Sequence, residues 1–252
     1  MNSPVLTPRF LTALPVFNEV NSVSQVLDEV VQYSDDILIV DDGSTDGTLE
    51  LLRQRKDIIL LEHKQNRGYG GALISAFEYA VENDYEVIVT IDCDGQHEPQ
   101  RIRQFVAAIS ETGADIISGS RYLKTFQDDT PAPEDRRAIN AGVTRMLNDR
   151  LGYDLTDAFC GFKAYRVDAV SQLKLTENGY AMPLELWVQA WCRELSVVEL
   201  AVPLIYLDEE RSFGDNLNDP EIRLNYYHEV LASSFASLPS DCSKQREGEQ
   251  VG

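Results

Sequence analysis

The sequence predicts an α/β protein whose sheet is mostly parallel and is covered by helices on both faces. Three observations carry this prediction. Through the first 120 residues, short runs that are apolar throughout recur along the chain, as strands buried on both faces do. Between them lie stretches with helical periodicity, the crossovers that parallel strands require. Several of the runs end in polar clusters, and in open α/β sheets ligands bind beyond the carboxyl ends of the strands.

The elements follow in order. Residues 10–14 form the first strand. Val23, Val26, Leu27 and Val30 recur at helical spacing, and Ser22 with Gln25 resembles a capping box. Residues 37–40 are the second strand, 46–55 a helix and 58–61 a third strand. A helix over 70–82 sets Leu73, Ala76, Phe77 and Ala80 on one face. The fourth strand covers 86–91; Ile102, Phe105, Val106 and Ile109 mark the next helix; residues 115–118 are a fifth strand. After Arg121 the pattern changes. Residues 124–135 are rich in Asp, Thr and Pro and read as a mobile loop, followed by a helix over 136–150 and a strand within 159–165. A buried helix at 182–195 carries Leu184, Trp187, Val188 and Trp191, residues 197–204 return as a strand, and the polar stretch 208–220 leads to a last helix over 220–237. The tail beyond Pro239 is expected to be disordered.

Composition narrows the function. The 252 residues are 43% hydrophobic and 25% charged, as in ordinary globular proteins. A net charge of −20 repels nucleic acid and anionic lipid, so a phosphate-bearing substrate must be held locally, by a metal or by placed cations. No apolar run approaches the about 18–20 residues of a membrane span, and no signal-peptide pattern is evident. Cys93, Cys160, Cys192 and Cys242 form no C-x-x-C pair, which argues against a zinc site and fits a reduced, cytoplasmic setting.

The strand-end clusters carry the chemistry. Asp92-Cys93-Asp94 leaves a buried strand with two carboxylates one residue apart. That arrangement suits a hard divalent cation that in turn holds phosphates, although Asp is also common in solvated turns. Gly95-Gln96-His97 adds a tight bend and two further possible ligands or phosphate donors. Asp41-Asp42-Gly43-Ser44 offers acceptors for base N–H groups or ribose hydroxyls, or else an acidic turn with Ser44 or Thr45 capping the next helix. Asn66-Arg67-Gly68-Tyr69-Gly70-Gly71-Ala72 precedes a helix, where glycines let a phosphate approach backbone N–H groups. It is neither a Walker A sequence nor a dinucleotide fingerprint, and a structural loop with a ligand-facing side reads equally well.

Arg121, in Ser118-Gly119-Ser120-Arg121, and Arg211 are candidates to neutralise a diphosphate, with a surface salt bridge as the alternative for each. Asp157 reads as a base, an acceptor-side ligand or a turn cap. His63 and His228 read as structural, Trp187 and Trp191 as core, and no Ser-His-Asp ordering or G-x-S-x-G elbow occurs.

Taken as an ordered set, Leu14 to Glu19, Val40 to Thr48, Ile91 to Pro99, Ser118 to Tyr122 and Asp157 to Phe162 resemble the inverting family 2 glycosyltransferases. The resemblance covers about residues 10–230 and is nearest to dolichol-phosphate mannosyltransferase-like and polyprenyl-phosphate glycosyltransferase-like enzymes. It implies the GT-A fold: a Rossmann-like, mostly parallel sheet sandwiched by helices, with a smaller acceptor-side α+β portion. One domain over 1–238 is implied, with a nucleotide-sugar half at 10–122 and an acceptor half at 123–238, before the tail at 239–252.

Residue by residue, the resemblance implies that Pro15, Phe17 and Glu19 line the nucleotide pocket, with Asp42 or Asp41 reading the base. Asp92 sits by the ribose and the metal, and Asp94 and Gln96 ligate Mg²⁺ or Mn²⁺ on the donor diphosphate. Arg121 faces the acceptor phosphate or the diphosphate, and Arg211 closes over the phosphates. The implied reaction moves a hexose from a donor of the GDP-mannose or UDP-glucose class, with inversion, onto a polyprenyl or dolichyl phosphate at a membrane surface. A phosphate acceptor is already ionised, whereas a hydroxyl acceptor needs a carboxylate base, for which Asp157 is the candidate.

The pattern also departs from the family. Gly214 is followed by Asp215-Asn216-Leu217 where a Ser-Lys is common, Cys93 stands between the metal-site aspartates, and no C-terminal membrane helices follow. A soluble or glycan hydroxyl acceptor, and a non-catalytic nucleotide-sugar-binding module, stay open as alternatives. A nucleotidyltransferase needs a Gly-rich loop bearing Arg or Lys after the first strand, where this chain has Pro15 to Glu19.

Overall fold

The computed structural model describes residues 8–127, 129–130, 132–206, 215–240 and 242. Its strands are β1 (Phe10–Val16), β2 (Ile37–Asp41), β3 (Ile59–Glu62), β4 (Val87–Thr90), β5 (Ile116–Ser120), β6 (Lys163–Arg166) and β7 (Val197–Ala201). The helices are α1 (Val23–Val30), α2 (Thr48–Gln54), α3 (Tyr69–Glu82), α4 (Ile102–Thr112), α5 (Glu134–Leu151), α6 (Val167–Val170), α7 (Met182–Cys192) and α8 (Pro220–Ala236).

All the strands join one seven-stranded sheet in the order β3-β2-β1-β4-β6-β5-β7. β6 runs antiparallel to β4 and β5, and every other pairing is parallel. This is the mostly parallel α/β sheet that the apolar runs predict. What they do not predict is that β6, late in the chain, inserts between β4 and β5. That insertion lays the preceding segment, 157–162, across the middle of the sheet edge where β4 and β5 end.

Alternation along the strands divides the core into two layers. Leu11, Ala13, Leu38 and Val40 pack with α3, α5, α7 and α8, around the fully buried Trp187. Leu14, Val16, Ile37 and Ile39 pack with α1, α2 and α4, around Phe105 stacked on Phe162.

The elements differ from expectation in instructive places. No capping box forms at α1: Ser22 has helical φ/ψ, and its hydroxyl bonds to Glu19 Oε2 at 2.7 Å instead of capping the helix. The strand expected within 159–165 starts only at Lys163, because Asp157 to Gly161 are drawn into contacts with Arg121, Asp92 and Glu199. β7 ends at Ala201, past which Val202 N still donates to Ser120 O on β5 at 2.9 Å, and α7 stops at Cys192. In the loop expected to be mobile, Asp129 accepts from Phe126 N and Leu204 N, both at 2.8 Å, and Thr130 N donates to Leu204 O. Of the tail, Cys242 is fully buried with its thiol against Cys192 O, while residues 241 and 243–252 lie outside the described residues. Among the described residues no helix is long and apolar enough to cross a membrane.

Candidate functional site

A cleft of about 1020 Å³ opens along the carboxyl ends of β1, β2, β4 and β5. Pro15, Phe17, Glu19, Asp42, Asp92, Asp94, Gln96 and Arg121 all line it, so residues far apart in sequence meet on one sheet edge. Asp41 and Asp157 lie just behind this surface, both fully buried. Arg211 lies outside the described residues.

The ends of β1 and β2 brace each other. Asn18 holds a left-handed backbone (φ 57°), donates its N–H to Ser44 Oγ and accepts from Thr45 N through its side-chain oxygen. Ser44 and Thr45 therefore do not cap α2. The Asp46 carboxylate takes the Thr48 N–H and hydroxyl there.

Asp42 is 2% exposed and heavily engaged. Its oxygens accept from Arg67 N at 2.9 Å and Gly68 N at 2.8 Å, and Oδ1 lies 2.6 Å from His63 Nδ1. His63 in turn reaches Ser75 Oγ, so this histidine is structural, as expected, and holds the second strand-end aspartate. Asp41 Oδ2 accepts from Ser44 N, while Oδ1 is buried with no hydrogen-bond partner.

The glycines of the 66–72 loop serve close packing. A Cβ at Gly68 (φ +94°) would strike Asn178 O, and one at Gly70 would strike Glu177 O. Gly71 N donates to Asn178 O at 3.0 Å, closing the loop against residues 177–179. Its other side faces the cleft through Asn66, Gly68 and Tyr69. The packing matches the structural-loop reading.

The acidic pair is held from several sides. Asp92 Oδ1 accepts from the Tyr69 hydroxyl at 3.0 Å, and Oδ2 lies 3.2 Å from His97 Nε2. A Cβ on Gly161 would fall on the Asp92 carboxylate. Asp94 Oδ1 accepts from Gln96 N at 2.9 Å across the bend at Gly95 (φ 74°). Burial, and then the charge of Asp92, push the Tyr69 phenol well above its ordinary pKa, so it stays a proton donor.

The donor set fits a hard cation. Asp92, Asp94 and Gln96 all line the cleft, and each side chain carries oxygen donors of the kind such a cation takes. Among the described residues no group of three or more His, Cys, Asp or Glu side chains could hold a metal by itself. These residues would therefore hold Mg²⁺ or Mn²⁺ only in company with water and substrate phosphates, the mode in which Mg²⁺ is usually bound.

Arg121 and Asp157 form the site's central ion pair. Arg121 Nε donates to Asp157 Oδ2 at 2.6 Å and Nη2 to Oδ1 at 2.9 Å. Asn140 Nδ2 adds a third donor at 2.8 Å. Burial by itself raises the Asp157 pKa, but the Arg121 charge and these hydrogen bonds hold the carboxyl well below the usual range. Behind them, the Glu199 carboxylate on β7 accepts the N–H groups of Thr156 and Asp157 and the Thr156 hydroxyl. Burial raises the Glu199 pKa, lowers that of Lys163 and pushes the Cys160 thiol up to about 11.

Several residues that line the cleft went unrecognised in the sequence. Tyr69 and Tyr180 stack at 5.7 Å with rings 15° apart. Arg136 and Asn140 come from α5, and Arg223, which pairs with Asp135 at 3.0 Å, from α8. Only a one-turn spacing of polar residues marks Arg136 and Asn140, and that is what any solvated helix face shows.

The glycosyl transferase family 2 model matches residues 12–174. Among curated proteins, an undecaprenyl-phosphate mannosyltransferase of Micrococcus luteus is 29% identical over 80% of this chain and 85% of its own length. A polyprenol monophosphomannose synthase of Mycolicibacterium smegmatis is 29% identical over 84% of each chain. A UDP-N-acetylglucosamine–dolichyl-phosphate N-acetylglucosaminyltransferase of Methanococcus voltae is 27% identical over 81% of this chain and 88% of its own. Among solved structures, glucosyl-3-phosphoglycerate synthase of Mycobacterium tuberculosis superposes with a TM-score of 0.71 at 17% identity, covering 92% of this chain and 82% of its own. A complex of that synthase holds Mn²⁺ with uridine diphosphate, and another holds Mg²⁺ with it.

Proposed function

This chain belongs to glycosyl transferase family 2, has the GT-A fold and is a glycosyltransferase, and from that premise we propose that it moves a hexose from a nucleotide-diphosphate sugar onto a polyprenyl or dolichyl phosphate. The observation that carries the reading is the pairing, in one cleft, of the Asp92/Asp94 carboxylates with the Arg121 guanidinium. In a chain of net charge −20, a diphosphate finds few other sources of positive charge.

The donor occupies the half built from residues 10–122. Pro15, Phe17 and Glu19 line its nucleotide end, and Asp42, with Asp41 behind it, shapes the base pocket through the loop it holds. Asp92, Asp94 and Gln96 hold Mg²⁺ or Mn²⁺, and such a cation, when bound, stabilises charge on the departing diphosphate. The acceptor enters from the half built from 123–238. The enzyme works in the cytoplasm, peripherally at a membrane surface where a lipid phosphate is presented.

Asp157 acts through Arg121. A carboxylate held well below the usual range, with its oxygens bonded to Arg121 and Asn140, is a poor base. A phosphate acceptor needs no base, since its oxygen is already ionised. Arg121, locked by Asp157, supplies fixed positive charge where phosphate charge gathers, at no reorganisation cost during the reaction. Arg211 is proposed to add a second guanidinium.

The test is a transfer screen with GDP-mannose, UDP-glucose and UDP-GlcNAc, each with and without Mn²⁺, using a polyprenyl phosphate in detergent or a soluble sugar as acceptor. Metal-dependent transfer to the lipid phosphate is the expected result. Transfer only to a hydroxyl would shift the reading to the hydroxyl-acceptor class, and tight nucleotide-sugar binding without turnover would make the chain a binding module.

A further inference from the structure

The Asp92 carboxylate is confined from both halves of the molecule. Gly161, in the segment leading to β6, abuts its carboxylate, and Thr90 Oγ1 fixes Gly161 by donating to its carbonyl at 2.8 Å. The Tyr69 hydroxyl donates to Oδ1 at 3.0 Å. Tyr69 is itself placed by residues 177–180. Gly68 and Gly70, on either side of it, lie so close to Asn178 and Glu177 that neither tolerates a Cβ. Tyr180 then stacks on its ring. That segment is firm, because the Glu185 carboxylate accepts Thr176 N at 2.8 Å and Glu177 N at 2.7 Å. Tyr180 itself is 37% exposed and lines the cleft.

We propose that Tyr69 is a positioning residue that fixes the Asp92 carboxylate through its hydroxyl and couples it, through the ring stack, to Tyr180 on the acceptor side of the cleft. The inference rests on the reading of Asp92 and Asp94 as the residues that hold a divalent cation. Groups behind a metal-ligating carboxylate set its orientation, and removing one typically costs 10–100-fold in metal affinity or activity. The phenol meets that description: it touches Asp92 directly, and its ring stacks on Tyr180. An open side of Tyr180 lets whatever occupies the acceptor end press on the same stack.

The experiment is calorimetric titration of Mn²⁺ into the full chain saturated with UDP or GDP, whichever it binds more tightly, for the unaltered protein, Tyr69→Phe, Asp92→Asn and the double variant. Tyr69→Phe keeps the stack and should keep the melting temperature, while lowering Mn²⁺ affinity by about tenfold. In the Asp92→Asn background the same change should have little further effect, because the hydroxyl acts through Asp92. Tyr180→Ala should weaken Mn²⁺ binding in the same direction, less than additively with Tyr69→Phe. Equal Mn²⁺ affinity in Tyr69→Phe and the unaltered chain, or full additivity with Asp92→Asn, overturns the role of Tyr69. If the unaltered chain shows no metal-dependent nucleotide binding at all, the metal reading itself fails, and this inference with it.

Discussion

Arg121 grips Asp157 with two parallel hydrogen bonds, Nε to Oδ2 at 2.6 Å and Nη2 to Oδ1 at 2.9 Å, and the carboxylate is completely buried while the guanidinium side chain keeps 24% exposure toward the cleft. The geometry is that of a charge held in place for use at its exposed end. Replacing Asp157 by Asn leaves a confined guanidinium without its counter-charge. We expect a loss of about 3 kcal/mol, the low end for a broken buried pair because Arg121 is partly solvated. Urea denaturation of Asp157→Asn against the unaltered chain measures it, and a difference below experimental error would remove the pair from the account of stability.

The same pair sets a pH signature. The folded-state pKa of Asp157 is depressed, so its contribution is fully present above the unfolded value of about 4 and is lost as pH falls from there toward the lower folded value. The stability gap between the unaltered chain and Asp157→Asn should stay level between neutral pH and about pH 5, then narrow in more acidic solution. A gap that widens on acidification contradicts the assignment.

Asp94→Ala should abolish both turnover and the metal dependence of donor binding, since Asp94 lines the cleft and its carboxylate is oriented by the Gln96 N–H. Calorimetry with GDP and UDP, with and without Mn²⁺, resolves the two effects. Retained metal-dependent binding would reassign the cation to other residues.

Gly161→Ala places a methyl group on the Asp92 carboxylate. Relief requires Asp92 or the 157–162 segment to move, at about 1–3 kcal/mol for an overpacked site. Activity should fall more steeply than the melting temperature suggests, because the displaced group is at the cleft. A variant that is fully active and fully stable would show that the carboxylate has room the structure does not give it.

Asp42→Ala removes the acceptor for the N–H groups of Arg67 and Gly68 and one of the partners of His63. Unmet hydrogen bonds of this kind cost about 1–3 kcal/mol. Amide exchange should accelerate selectively at residues 67 and 68. Unchanged protection there would mean that the glycine contacts with 177–179 hold the loop without Asp42.

The sequence by itself was sufficient for the fold class, the order of the elements apart from the one-turn helix α6, and the strand-end positions of Asp41, Asp42, Asp92, Asp94 and Arg121. Those are local properties: a run such as Val87 to Thr90 is apolar because both sheet faces are covered, and its exit must turn polar where the sheet edge meets water. Tertiary structure alone decided what each side chain faces. β6 inserts between β4 and β5, and no local pattern encodes that pairing, since it depends on which strand edges remain open once the others have docked. The insertion carries Asp157, which reads from sequence as a base, an acceptor-side ligand or a turn cap, to Arg121, and Gly161 to Asp92. The glycines of the 66–72 loop read as a phosphate cradle or a structural turn with equal force, until residues more than 100 positions later pack against them. Tyr69, Tyr180 and Asn140 left no local trace because their roles are contacts between distant segments, and contacts of that kind arise only when the chain closes on itself.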